Sequence, residues 1–117
     1  MTRELKVSKI CMDKESTLKE LKLGYLNLAD GLFDLAQTNF DMVILSDAEN
    51  ADAFWGLILC KCQIRNEQAL KHNATLYKNI VYLKEYENAL NYADETQKAI
   101  FENLTSEIKK INEGDNY

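Results

Sequence analysis

Proline is absent from this chain and glycine occurs only four times. A sandwich or barrel of many short strands needs those two residues at turn after turn, so the shortage argues against an all-β fold and for a set of helices. Histidine occurs once, at His72, which excludes HExxH and histidine-rich metal sites. The three cysteines, Cys11, Cys60 and Cys62, are odd in number and contain no Cys-x-x-Cys pair. Neither a disulfide framework nor a zinc site follows from them, and a reducing compartment would keep them as thiols. Gly24, Gly31, Gly56 and Gly114 are scattered, so no glycine-rich phosphate loop exists. Neither a cofactor nor a metal is expected. No apolar run approaches the roughly 20 residues of a membrane-spanning helix, and Arg3, Glu4, Lys6 and Lys9 interrupt the first residues in a way no signal peptide does. The expected location is cytoplasmic, without membrane insertion, and the sequons at Asn73 and Asn103 then have no consequence. Fourteen Lys and Arg against nineteen Asp and Glu give a net charge of −5, which argues against nucleic acid as a partner.

What is present suits one domain: 117 residues, 46% hydrophobic and 28% charged. Thr17-Leu18-Lys19-Glu20 reads as a capping box, so the first helix is expected to open at Leu18. Residues 1–16 form an arm or short helix, 17–113 one helical domain, and 114–117 a tail. Leu18, Leu21, Tyr25 and Leu28 make the apolar row of that helix, widened by Leu23 and Leu26, until Asp30-Gly31 breaks it. A second box, Asp34-Leu35-Ala36-Gln37, opens a helix whose stripe is Leu35 or Ala36, Phe40, Val43 and Ile44. So short a link makes the two an antiparallel hairpin.

Asn50 is a good N-cap for the next helix, in which positions 53–60 are apolar on nearly every side, as a central element requires. The pattern then weakens, with a short helix expected at about 74–82. Tyr86, Ala89, Leu90 and Ala93 share one later face, and Ile100, Phe101, Leu104, Ile108 and Ile111 another. These form one long helix or two joined near 94–96.

Catalytic constellations are missing from this pattern. Cys60 and Cys62 are two apart on a helix and point about 200° away from each other, so they cannot share an ion. Asp94-Glu95 and Glu85-x-Glu87 fail as carboxylate pairs for the same reason. The tyrosines at 77, 82, 86 and 92 have no basic groove beside them. A non-catalytic role is expected; the alternative is a small enzyme or regulatory subunit that uses His72 with a carboxylate such as Glu67. One further asymmetry bears on partners: no Lys or Arg occurs between Leu23 and Leu59, where Asp30, Asp34, Asp41, Asp47, Glu49 and Asp52 all fall. Such a stretch either caps helices and solvates a face or selects basic partner segments.

The helical hairpin resembles a tetratricopeptide repeat. Leu23-Gly24 stands at the family's Leu-Gly pair, and Gly31 with Phe33 at its Gly-x-aromatic turn. Ala36 and Phe40 match the small and aromatic packing positions. Ala51-Asp52-Ala53-Phe54 and Leu57 restart the pattern, so the resemblance covers 18–62. Asn27, Val43 and Ala48 depart from it, and 63–83 does not supply the second turn. Tyr86-x-x-Ala89-x-x-x-Ala93 echoes Phe33-x-x-Ala36-x-x-x-Phe40 instead, as if an insertion had displaced the second partner helix. The string Gly31, Ala36, Phe40, then Ala53-Phe54-Trp55-Gly56-Leu57, then Tyr86-x-x-Ala89-Leu90-x-x-Ala93 is similar to a repeat-like helical module of uncharacterised bacterial proteins that often follows a zinc ribbon. With no Cys-x-x-Cys here, no zinc function carries over.

The resemblance implies a right-handed stack of antiparallel hairpins with a concave groove for a protein or peptide partner. That groove would carry Tyr25, Leu28, Ala29, Trp55, Leu59 and Cys62. Leu21 and Tyr25 stand where some relatives place Lys and Asn, so a carboxylate clamp is not expected. The groove is expected to be filled either by the chain's own long carboxy-terminal helix, which would then cap it and bury Trp55, or by an apolar helix from a partner. The chain itself would be a monomer or weak homodimer.

Overall fold

A computed structural model describes residues 13–65 and 80–114, except for the side chains of 108 and 111–114. Among the described residues there are five α-helices and no strand, as the proline and glycine counts imply. Cys11, Glu67, His72, Tyr77 and most of the helix expected at 74–82 lie outside the described residues.

Helix α1, Lys14–Ala29, begins one turn before the Thr17 box, and therefore inside the segment expected to be an arm. The cap is Asp13, whose carboxylate accepts the Ser16 N–H at 2.7 Å. Thr17 donates its hydroxyl back to the Asp13 carbonyl at 2.8 Å instead of capping. A carboxylate at the positive end of the helix is the stronger acceptor, and the earlier start adds a turn. The buried face is Thr17, Leu21, Gly24 and Leu28. Leu18, Leu23 and Leu26, expected in the apolar row, are instead exposed.

Gly31, at φ +78°, ends α1. Leu32 N–H donates to the Asn27 carbonyl and Gly31 N–H to that of Leu28, the paired bonds of a Schellman turn. Helix α2, Phe33–Ser46, follows at once with Leu32 as its N-cap. The second capping box is thus not formed: Asp34 sits in the first turn, where its charge still meets the helix dipole favourably. Ala36, Asn39, Phe40 and Val43 are buried, while Leu35 is exposed.

Between α1 and α2, Glu20 accepts from the Asn39 amide at 2.6 Å, and Asn39 accepts from Asn27 at 2.7 Å. This ladder satisfies a buried polar side chain and sets the register of the hairpin.

Helix α3, Ala51–Lys61, packs against α1, α2 and α4, which is why Ala51 and every residue from Ala53 through Cys60 are buried. Asn50 caps it as expected, accepting from Ala53 N–H at 3.0 Å. A second Schellman turn closes it, with Gln63 held at φ +55° and the buried Ile64 bonded back to the Leu59 carbonyl.

The core is built around Phe40. A Cβ on Gly24 of α1 would come within 2.6 Å of its ring, and one on Gly56 of α3 would meet the same ring from another side. The Tyr25 ring meets its edge at 4.9 Å. Two glycines on neighbouring helices thus leave room for one phenylalanine.

Helix α4, Lys84–Tyr92, packs on α3 and buries Ala89, with Tyr86, Leu90 and Ala93 partly buried beside it. Helix α5, Glu95–Gly114, follows as a separate element and takes in Gly114, which was expected to begin the tail. Asp94 and Gln97 divide the two helices with a reciprocal box: Gln97 N–H donates to the Asp94 carboxylate at 2.7 Å, and Asp94 N–H to the Gln97 side-chain Oε1 at 3.0 Å. Phe101, Leu104 and Thr105 are the buried residues of α5, whereas Ile100 is half exposed.

Candidate functional site

The inner faces of α1 and α3 meet where the Tyr25 hydroxyl donates to the carbonyl of Asp52, in the first turn of α3, at 2.5 Å. Trp55, one turn further along α3, lies on the same side as Asp52 because residues three apart on a helix share a face. From α5, Phe101 stacks on the Trp55 indole, with centroids 4.5 Å apart and planes 18° from parallel. The indole is 1% exposed, and its Nε1 has no hydrogen-bond partner among the described residues. Tyr86 and Thr105 share a hydrogen bond at 3.1 Å, which ties α4 to α5.

Leu28 and Leu59, expected to line a groove, are each 1% exposed and belong to the core. No partner reaches them in this arrangement. What remains open is a cleft of about 590 Å³ between α1, α3 and α5, walled by Leu21, Tyr25, Leu26, Trp55, Ile100 and Phe101. Leu26 and Ile100 are 63% and 48% exposed. Lys22, Asp52 and Gln97 supply its polar groups. A second depression of about 470 Å³ shares Leu21 with the first but is lined mainly by polar residues, among them Lys14, Asp47 and Asn50.

Burial pushes the Asp52 carboxyl above the usual carboxylate range; the Gln97 side chain opposes this with a hydrogen bond, and the nearby Asp94 charge adds to it. In the sequence Asp52 stood out as one of the acidic residues between Leu23 and Leu59 and not as a neighbour of Trp55, and Gln97 was missed because it enters only as α5 folds back over α3.

The remaining expected residues have structural placements. Gly24, Gly31, Ala36 and Phe40 form the hairpin interior and its turn, and Phe33 is partly buried beside it. Phe54 and Leu57 are core residues of α3, as Ala89 is of α4, with Tyr92 tilted against Phe54 at 5.9 Å. Burial and the neighbouring Asp41 charge raise the Cys60 thiol to about 11, and burial raises that of Cys62, so neither is poised as a nucleophile at neutral pH. Among the described residues no cluster of three or more His, Cys, Asp or Glu could hold a metal ion, and no helix is long and apolar enough to cross a membrane.

No protein-family model, curated protein or solved structure matches the chain.

Proposed function

We propose that this protein is a non-catalytic interaction module whose cleft between α1, α3 and α5 receives an apolar helical segment of another protein. One observation carries the reading. Although Phe101 already covers Trp55, the cleft beside it stays open and apolar, with Leu26 and Ile100 half exposed or more on its opposing walls. Apolar surface concentrated in a concavity is characteristic of docking sites rather than of ordinary solvated surface.

In this reading α1 and α2 are one tetratricopeptide-like repeat and α3 with α4 an irregular second one. Support comes from Gly24, Ala36 and Phe40, which stand at the family's glycine, small and aromatic positions and are all buried in the hairpin. Helix α5 acts as a cap that protects the end of the short stack while leaving part of the groove free. The module works in the cytoplasm, as a monomer or weak homodimer.

The test is titration of the full chain with leucine-rich amphipathic helical peptides, followed by Trp55 emission and amide chemical shifts. Saturable binding that perturbs Leu21, Tyr25, Leu26 and Ile100 is expected, and the double variant Leu26→Glu, Ile100→Glu should abolish it without loss of helicity. Binding that survives in the double variant, or no binding by any peptide, refutes the proposal.

A further inference from the structure

The cleft is not electrically neutral along its length, and this bears on the kind of segment it accepts. Asp52 lies in its wall, in the first turn of α3 and beside Tyr25 and Trp55. Its carboxylate is half-buried and hydrogen-bonded to the Gln97 side chain, yet no Lys or Arg forms an ion pair with it among the described residues. Lys22, which lines the same cleft, makes no such pair either. The Asp94 charge across on the α4–α5 junction is close enough to make Asp52 harder to ionise. Lys22 is the single cation among the residues that line the cleft, and nothing between Leu23 and Leu59 is basic.

A carboxylate held against an apolar wall is costly to desolvate without a cation, and covering the cleft with a purely apolar helix would increase that cost. A cation delivered by the incoming segment removes it. Lys22 acts in the opposite sense elsewhere on the rim, where a second cation would be repelled and a neutral or acidic residue favoured.

Resting on the interaction reading above, we infer that the occupant is an amphipathic helix of a partner protein carrying a single Lys or Arg at the edge of its apolar stripe, placed to pair with Asp52. The apolar residues fill the space between Leu26 and Ile100, and the cation sets direction and register. The cleft volume is that of sites that take a small ligand or a few side chains, which fits one or two helical turns.

The experiment uses the full chain and a set of leucine-rich helical peptides that differ at one stripe-edge position. Each carries Lys, Gln or Glu there, and the position is scanned around the stripe. At one position the Lys peptide should bind about tenfold more tightly than the Gln peptide, a difference of about 1.4 kcal/mol, and the Glu peptide more weakly still. Asp52→Asn, close in shape, should erase the Lys advantage, so that the Lys and Gln peptides bind this variant equally. In the unaltered chain, raising the salt concentration should shrink the same advantage, which gives a second readout independent of any variant. Equal affinities for all three peptides at every position, or a Lys preference that persists in Asp52→Asn, overturn the inference while the interaction reading stands. Failure of every peptide to bind overturns both.

Discussion

Gly56→Ala sets two large effects against each other. In the middle of a helix, replacing Gly by Ala gains about 1 kcal/mol of helix propensity. Here the new methyl would collide with the Phe40 ring, lying about 2.6 Å from both Cε1 and Cε2 and nearer still to Cζ. Carbon atoms pack at about 3.5–4.0 Å, so the ring must retreat by roughly 1 Å. It has little room to do so: Phe40 is fully buried, Gly24 closes another side at distances that already exclude a Cβ, and the Tyr25 ring meets its edge. Overpacking of this kind costs about 1–3 kcal/mol, and more where retreat is blocked. A net loss of about 1–2 kcal/mol is expected, equivalent to a fall of about 3–12 °C in Tm for a domain of this size.

Urea unfolding followed by circular dichroism at 222 nm measures the change. Pairing the substitution with Phe40→Leu, which vacates the slot, should recover part of the loss, so the double-mutant cycle should show favourable coupling. An alanine variant as stable as the parent, or more stable, would mean that propensity outweighs sterics and that the glycine slot is not what shapes the core.

Two further expectations concern the helix ends. Gln63→Gly should stabilise the chain by about 0.5–1 kcal/mol, because Gln63 holds a left-handed conformation that glycine adopts without penalty; a loss in urea unfolding would show that its side chain contributes more than its backbone costs. Asp13→Ala should lower stability as the loss of an N-cap, and by more than Thr17→Val, which would be the sensitive substitution if the Thr17 hydroxyl were the cap. The backbone N–H and hydroxyl of Ser16 hold the Asp13 carboxyl below its ordinary value of 3.8. Its contribution is therefore present above that value and lost as pH falls through the lower folded one. The gap between parent and Asp13→Ala should accordingly close on acidification below pH 4, and a gap that widens there would contradict the assignment.

The helical class, the break at Asp30-Gly31, the Asn50 cap and the central place of α3 were all legible in the amino-acid order. Each depends on something local: the absence of proline, a turn residue, a capping side chain, or an apolar run too continuous for a surface helix. Periodicity also marked the stripe through Ala36, Phe40 and Val43, because only one face of α2 offers small and aromatic residues together.

Tertiary structure decided the matters in which several local answers were equally good. Asp13 and Thr17 are both competent caps, and in the packed hairpin Thr17 lies on the buried face with its hydroxyl turned back to the Asp13 carbonyl, which leaves Asp13 as the cap. Leucine surrounds α1, so hydrophobicity does not say which leucines are buried; the Phe40 ring does, by requiring Gly24 in the seam and leaving Leu23 and Leu26 outside it. Leu28 and Leu59 became core and Leu26 with Ile100 became the cleft walls for a related reason. Burial is a property of contacts between segments far apart in the chain, and the return of α5 that places Phe101 on Trp55 and Gln97 beside Asp52 exists only once the helices have packed.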